Sequence, residues 1–399
     1  MKTLTLSLMI IAILTGCGGG SSTPSKPIEP NRPDTVAPTN PVTPVLPVTP
    51  INPSKPVVPP ENVAPVSKVT ADALTYRNEV ANLDGSQSYD PDNTGELTFS
   101  WDITSKPDGS NAVFSLTEEV AKFTPDLPGE YTIALTVNDR EKDSPTTAIT
   151  ITAGTELKGQ YREDFTTKTE DSPYLVNGIV QIAEGKTFTI DGVTVLSIGD
   201  RNAMAVFGNL VIKDSTVNNV GMSHSGGTSA PYSSIEIRNS SIDSQTFPAV
   251  AHSYGSTVIT DSRVTGDEIL NNYVWYPTAF QLERNVFESE VYLSIGIDDG
   301  VQANIKNNLF KGDLTVKSWA GYRSAIVNLN YNTFGYVPKL SLKGGDDQEK
   351  IDATENYWPT TDTDVIDEAV TDNNDSLGIV GIIEYQPMLL EPHENTPTK

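Results

Sequence analysis

Asn307-Asn308-Leu309-Phe310, Tyr331-Asn332-Thr333-Phe334 and Glu355-Asn356-Tyr357-Trp358 are three copies of one phrase in a chain of 399 residues. Earlier copies are Asp214-Ser215-Thr216-Val217, Asn239-Ser240-Ser241-Ile242, Asp261-Ser262-Arg263-Val264 and Arg284-Asn285-Val286-Phe287. The Ser/Asn position recurs at 215, 240, 262, 285, 308, 332 and 356. A nearly fixed period of this size predicts a solenoid, each repeat being one coil stacked on the last. Three residues before the Ser/Asn position stand Ile212, Ile237, Ile259, Leu282, Ile305, Leu329 and Ala353. Five before it stand Leu210, Ile235, Thr257, Phe280, Ala303, Val327 and Ile351. This alternation predicts one β-strand per coil, with both columns and the Val/Ile/Phe/Trp column facing inward. A second strand per coil is expected at 291–297, 314–317 and 340–342. The expected class is all-β, with a parallel β-helix over 165–391.

Upstream, residues 63–153 read as short alternating strands between Asp/Gly/Pro turns. Tyr131, Ile133, Leu135 and Val137 point one way, with Thr132, Ala134 and Thr136 between them. Several such runs predict an antiparallel β-sandwich. Asn62-Val63-Ala64-Pro65, Leu83-Asp84-Gly85-Ser86, Ser88-Tyr89-Asp90-Pro91-Asp92, Phe99-Ser100-Trp101, Phe123-Thr124-Pro125-Asp126 and Gly129-Glu130-Tyr131 fall in order. They resemble the PKD domain over its whole length. That resemblance implies an Ig-like sandwich with Trp101 between the sheets, acting as a spacer or a glycan- or protein-contacting module. Asp90, Asp92 and Glu96 offer the oxygen ligands that Ca²⁺ takes. The alternative is a turn whose carboxylates cap backbone N–H groups.

The N-terminus reads as an address. Lys2 precedes an apolar run from Leu4 to Leu14, too short for a stable membrane-spanning helix and typical of a secretory signal. Leu14-Thr15-Gly16-Cys17 resembles the lipobox of bacterial lipoproteins, which implies a signal peptide over 1–16 and a lipid anchor on Cys17. Gly18 in the next position resembles an outer-membrane address, so the expected location is the bacterial cell envelope. Cys17 is the only cysteine, so the remainder has no disulfide, Cys-ligated metal or Cys nucleophile. Residues 17–62 are a Gly/Ser- then Pro/Thr/Val-rich tether without apolar periodicity. A formal charge of −25 argues against nucleic acid as a partner.

The repeat region resembles the right-handed parallel β-helix superfamily seen in pectate lyases and other polysaccharide-degrading proteins. By that resemblance Asn285, Asn308, Asn332 and Asn356 form an internal asparagine ladder and are structural. The ending, Asn356-Tyr357-Trp358 followed by Ile383-Glu384-Tyr385-Gln386-Pro387, is similar to that of bacterial β-helix lipoproteins, with Pro359 where that family has Gly. Val365, Ile366, Ala369 and Val370 predict one face of a short capping helix beginning at Asp362.

Chemistry is sought where the repeat stops repeating, 9 to 15 residues after each Ser/Asn position. Tyr273, Trp275, Tyr276, Asp298, Asp299, Trp319, Tyr322, Arg323, Lys343 and Asp346 would line a groove about 25 Å long at about 4.8 Å per coil. Aromatic faces suit pyranose rings, and Asp, Arg and Lys suit hydroxyls and uronate carboxylates. The favoured expectation is a non-catalytic binder of an extracellular glycan or surface polymer. One alternative is a Ca²⁺-assisted polysaccharide lyase, with Arg323 or Lys343 as base, Asp299 beside it, and Ca²⁺ on Asp298 and Asp299. Another is a structural or adhesive scaffold without a small ligand. His224 and His252 are expected to be lone loop histidines, and His393 to lie uninvolved in a polar tail.

Overall fold

The repeated phrase is where each coil turns a corner. The computed structural model describes residues 61–398 apart from 93–94, 200–201, 227–231, 246–248, 254, 267–269, 275–278, 297–301, 320–325, 344–349 and 376–378. The residue before each Ser/Asn position, Asp214, Asn239, Asp261, Arg284, Asn307, Tyr331 and Glu355, has a φ between 44° and 60°. Gly192 does the same one coil earlier, at φ 64°. The left-handed conformation suits Gly, Asn and Asp and is costly for Arg, Tyr and Glu, so packing imposes it in the later coils.

This corner corrects the expected strand count. One strand was predicted across the phrase; the left-handed residue splits it in two, and a third strand follows. In one coil these are Phe280–Glu283, Val286–Phe287 and Val291–Gly296; in the next, Gln302–Lys306, Leu309–Phe310 and Leu314–Trp319. The first strands of successive coils stack into a parallel ten-stranded sheet, from Phe165–Thr166 to Ile382–Glu384. The expected inward columns are buried throughout, from Leu210 and Ile212 to Ile351 and Ala353.

The Ser/Asn side chains do the bonding expected of a ladder. Each oxygen accepts the backbone N–H of the equivalent residue one coil earlier. Val193, Ser215, Ser240 and Ser262 donate to Ser215 Oγ, Ser240 Oγ, Ser262 Oγ and Asn285 Oδ1 at 3.0–3.2 Å. Asn285, Asn308 and Asn332 donate to Asn308, Asn332 and Asn356 at 2.8–2.9 Å. The asparagines also donate Nδ2 across coils, to Ile259, Leu282, Ile305 and Leu329 carbonyls. The serines instead return their hydroxyl to their own coil, at Lys213, Arg238 and Thr260 carbonyls. Beside the asparagines runs a second ladder, Phe287, Phe310, Phe334 and Trp358, with neighbouring ring centroids 5.0–5.9 Å apart.

Residues 61–153 form two sheets. Thr70–Ala71, Ala81–Asp84, Val120–Thr124 and Val113–Thr117 make one. Thr98–Ser105, Gly129–Asn138 and Thr147–Tyr161 make the other, with Leu74–Tyr76 parallel to the last. Trp101 is buried between them and donates Nε1 to the Glu118 carbonyl at 2.8 Å. Gly85 is small because a Cβ there would meet the Glu119 carbonyl, Leu135 and the Trp101 ring at 3.0–3.1 Å. Around the loop proposed for Ca²⁺, the Asp92 carboxylate accepts the Val63 N–H at 2.7 Å, Asp90 accepts the Asp92 N–H, and Glu96 pairs with Arg140. These are turn-capping and surface roles.

The sandwich and the solenoid share a strand. Thr147–Tyr161 pairs antiparallel with Gly129–Asn138 through its first half and parallel with Tyr174–Ile182 through its second. The sandwich therefore covers the edge that the first coil would otherwise expose. Arg77 reaches across to Asp171 at 2.8 Å. Gly154 sits at the crossing, where a Cβ would lie 2.4 Å from Leu175 Cγ and 2.8 Å from the Pro173 carbonyl.

At the other end, the helix Thr363–Asp367 begins as expected, Asp362 accepting the Asp364 N–H at 3.1 Å. Its predicted face is only partly correct. Ile366 is fully buried, but Val365 is 44% exposed, and Val370 belongs to the strand Val370–Thr371. Two residues after Val370, the buried Asp372 accepts the Ile383 N–H at 3.1 Å on the terminal strand. His393 is not idle: its ring packs on Tyr331, centroids 4.8 Å apart, and Thr396 donates to the Tyr331 carbonyl.

Candidate functional site

In Val291–Gly296 the buried Val291, Leu293 and Ile295 turn Tyr292 outward by simple alternation. The parallel register places Thr315 and then Lys339 beside Tyr292 on the next two coils. Lys317 and Ser341 form the adjacent outward row, and Thr371 continues it. The capping helix rises over this face because Ile366 is anchored in the core, leaving Val365, Glu368 and Ala369 as a wall. Between sheet and wall lies a cleft of about 620 Å³, also lined by Glu290 and Val337. That volume falls within the usual range for small-ligand sites.

The Lys317 ammonium lies 4.9 Å from the Tyr292 ring centroid, a cation–π contact. Among the described residues neither Lys317 nor Lys339 is in an ion pair. By contrast Lys311 and Arg263, on the neighbouring face, both hold Glu288. The cleft thus joins an aromatic face, hydroxyls and open charges of both signs. Among the described residues that line it, no nucleophile is hydrogen-bonded to a base.

A second polar cluster is sealed inside the solenoid. His224, expected in a loop, ends the strand Gly221–His224 and is 5% exposed, which corrects that expectation. Nδ1 is 2.8 Å from Ser233 Oγ and Nε2 is 2.9 Å from Thr257 Oγ1. Burial pushes its pKa down from 6.5 to about 4, so the ring is neutral at pH 7. Gly255 makes room for it, since a Cβ there would sit 2.2 Å from Nδ1. With both nitrogens bonded to hydroxyls and no carboxylate partner among the described residues, the cluster is structural.

Of the residues predicted to line the groove, Tyr273 lies on Leu270–Val274 and Trp319 on Leu314–Trp319, and the backbone alone is described at both. Tyr273 is in register with Ser294, which in turn faces Lys317, so it shares a row with the cleft. Lys343 is exposed just after Lys339–Leu342, its N–H bonded to the Ser318 carbonyl at 3.0 Å. Trp275, Tyr276, Asp298, Asp299, Tyr322, Arg323 and Asp346 lie outside the described residues, as does Cys17, and the side chain of His252 is likewise not described. Sequence reasoning missed Tyr292 and Lys339, each seven residues after its Asn and just short of the window searched. The signal was available: strict alternation along the third strand marks both as outward.

No curated protein matches the chain. Residues 62–153 match the family model described as the PKD domain. The chain therefore carries a PKD domain at residues 62–153 and, downstream of it, a parallel β-solenoid of about seven turns.

Proposed function

We propose that this chain is a bacterial envelope lipoprotein, anchored through Cys17, whose solenoid binds an extracellular glycan or surface polymer. A PKD domain joined to a β-helix fits an adhesive or carbohydrate-binding scaffold. The observation that carries the binding reading is the cleft beside Tyr292. A ring presented outward next to hydroxyls and ammonium groups is what a pyranose requires: an apolar face to stack on and donors at its edge. Successive coils repeat at about 4.8 Å, which suits a chain of sugar units running across them.

The test is retention on an array of bacterial, algal and plant polysaccharides, comparing the native chain with Tyr292→Ala and Lys317→Ala. Retention that falls at least about tenfold in Tyr292→Ala, with an unchanged melting temperature, supports the reading. Retention of no glycan, or full retention by both variants, rejects the cleft as the site. Unsaturated-uronate absorbance appearing with Ca²⁺ would replace binding with eliminative cleavage and return attention to Arg323 and Lys343. Radiolabelled palmitate incorporation that survives Cys17→Ser would reject the anchor.

A further inference from the structure

One face of the Tyr292 ring is already occupied. The Lys317 ammonium lies over it, 4.9 Å from the centroid. Lys317 is level with Ser294 on the next coil, so its Cα stands about 8 Å from that of Tyr292, two residues along and one coil across. The row it belongs to carries hydroxyls. Ser341 is in register with Lys317 one coil on, and Thr371 with Ser341 one coil further. One ammonium and two hydroxyls thus follow one another over roughly 10 Å, and all three line the cleft. The carboxylates of the cleft lie off this row. Glu290 precedes Tyr292 by two residues, whereas the row of Lys317 follows it by two. Glu368 stands beside Lys339, because the Leu340 N–H bonds the Ala369 carbonyl at 3.0 Å, and it offsets the charge of that lysine.

Resting on the glycan reading above, we infer that the bound sugar carries an anionic substituent, a carboxylate or a sulfate ester, and that Lys317 selects for it by covering Tyr292 until that group draws the ammonium away. A neutral pyranose stacking on the covered face must break the cation–π contact and return the ammonium to water, which costs it about two- to fivefold in affinity. An anionic sugar offsets that loss. Its oxygens accept a charge-assisted hydrogen bond from Lys317 and further ones from Ser341 and Thr371, while its ring takes the vacated face of Tyr292. The same lysine therefore hinders one sugar and holds the other. The chain as a whole carries a formal charge of −25 and repels polyanions at long range, so a preference for the charged sugar is a local effect of this row.

Affinity measurements on the intact chain with matched pairs of polysaccharides test this. Polygalacturonate and alginate are set beside their carboxyl-reduced forms, and chondroitin sulfate and carrageenan beside their desulfated forms, together with the neutral polymers of the array above. At least one charged polymer is expected to bind about tenfold or more tighter than its neutralised partner, and the pair that shows it tells carboxylate from sulfate. Lys317→Met should weaken the charged form by about tenfold and tighten the neutralised one by about two- to fivefold, a gain that misfolding cannot produce. Lys317→Arg should keep the preference. Lys311→Met, on the neighbouring face where Lys311 pairs with Glu288, should change neither form. Loss of the charged form in Lys317→Met without a gain by the neutralised one overturns the covering role. Equal affinity within every pair, retention of neutral polymers alone, or a preference that survives Lys317→Met overturns the selection and leaves glycan binding standing. Retention of no polymer at all overturns both.

Discussion

Replacing Asn308 by Leu should cost about 3 kcal/mol. The side chain is fully buried and makes four hydrogen bonds. Its Oδ1 accepts from the Asn285 backbone N–H at 2.9 Å and from Asn285 Nδ2 at 3.0 Å. Its Nδ2 donates to the Leu282 carbonyl at 2.9 Å and to Asn332 Oδ1 at 3.0 Å. Leucine fills the same space but leaves the Asn285 N–H and the Leu282 carbonyl without those partners. Asn285 Nδ2 keeps Ile259, and Asn332 Oδ1 keeps the Asn308 N–H, so those two groups survive. Two orphaned backbone groups at about 1–3 kcal/mol each, less about 1 kcal/mol for the added apolar burial, give the figure. Asn308→Ser should be milder in polar terms, because the earlier coils show a serine hydroxyl accepting the same N–H. Asn308→Asp should be worst at pH 7, where a carboxylate would face Asn332 Oδ1 and the Leu282 carbonyl with no proton to offer, and should recover towards pH 4. Urea denaturation followed by circular dichroism reads all three, and a break in mid-ladder should divide the unfolding curve into two steps. A Leu variant within about 0.5 kcal/mol of the native chain, or an Asp variant indifferent to pH, would refute the claim that the ladder holds the coils in register.

Three further outcomes are expected. His224 titrates at about 4 in the folded state and 6.5 when free, so the unfolded chain binds the extra proton between those values. Its contribution is complete above pH 6.5 and is lost as pH falls to about 4, on the order of 3 kcal/mol; His224→Gln should flatten the stability profile in that window, as seen by denaturation at pH 7 and 4.5. Gly154→Val should lower the melting temperature and expose the junction to limited proteolysis, because the new side chain overlaps Leu175 and the Pro173 carbonyl, a strain of about 1–3 kcal/mol or more. Phe310→Ala should cost about 3–5 kcal/mol, because it opens a gap between Phe287 and Phe334, whereas Phe310→Leu should cost clearly less.

The coil stack was legible because inward positions repeat at a nearly constant period and every coil solves the same burial problem. Its first turn was not, because Gly192 and Val193 stand where later coils have Asp/Asn and Ser/Asn, and a valine cannot accept a hydrogen bond. The corner was hidden for a related reason. A left-handed Arg284, Tyr331 or Glu355 has no local signature, and only the neighbouring coils compel it. His224 was misplaced by counting from the ladder position without carrying the strand alternation through to it. The cleft joins Tyr292 to a helix wall near Glu368 through stacking of coils far apart in sequence, and periodicity on one strand does not reveal which distant segment covers it.

The strand Thr147–Tyr161 gives the chain an unusual mechanical character. At about 3.3 Å per residue its stretch from Thr147 to Leu157 is a beam of roughly 36 Å, clamped by one sheet as far as Ala153 and by another from Thr155, before Gly159 at φ 75° takes it round the corner of the coil. A conventional inter-domain linker bends under load and lets its domains reorient. Here any rotation of one body against the other must shear backbone hydrogen bonds along the whole beam. Tension is shared among many bonds at once, and the solenoid's lateral face is aimed by the PKD domain as a barrel is aimed by its mount.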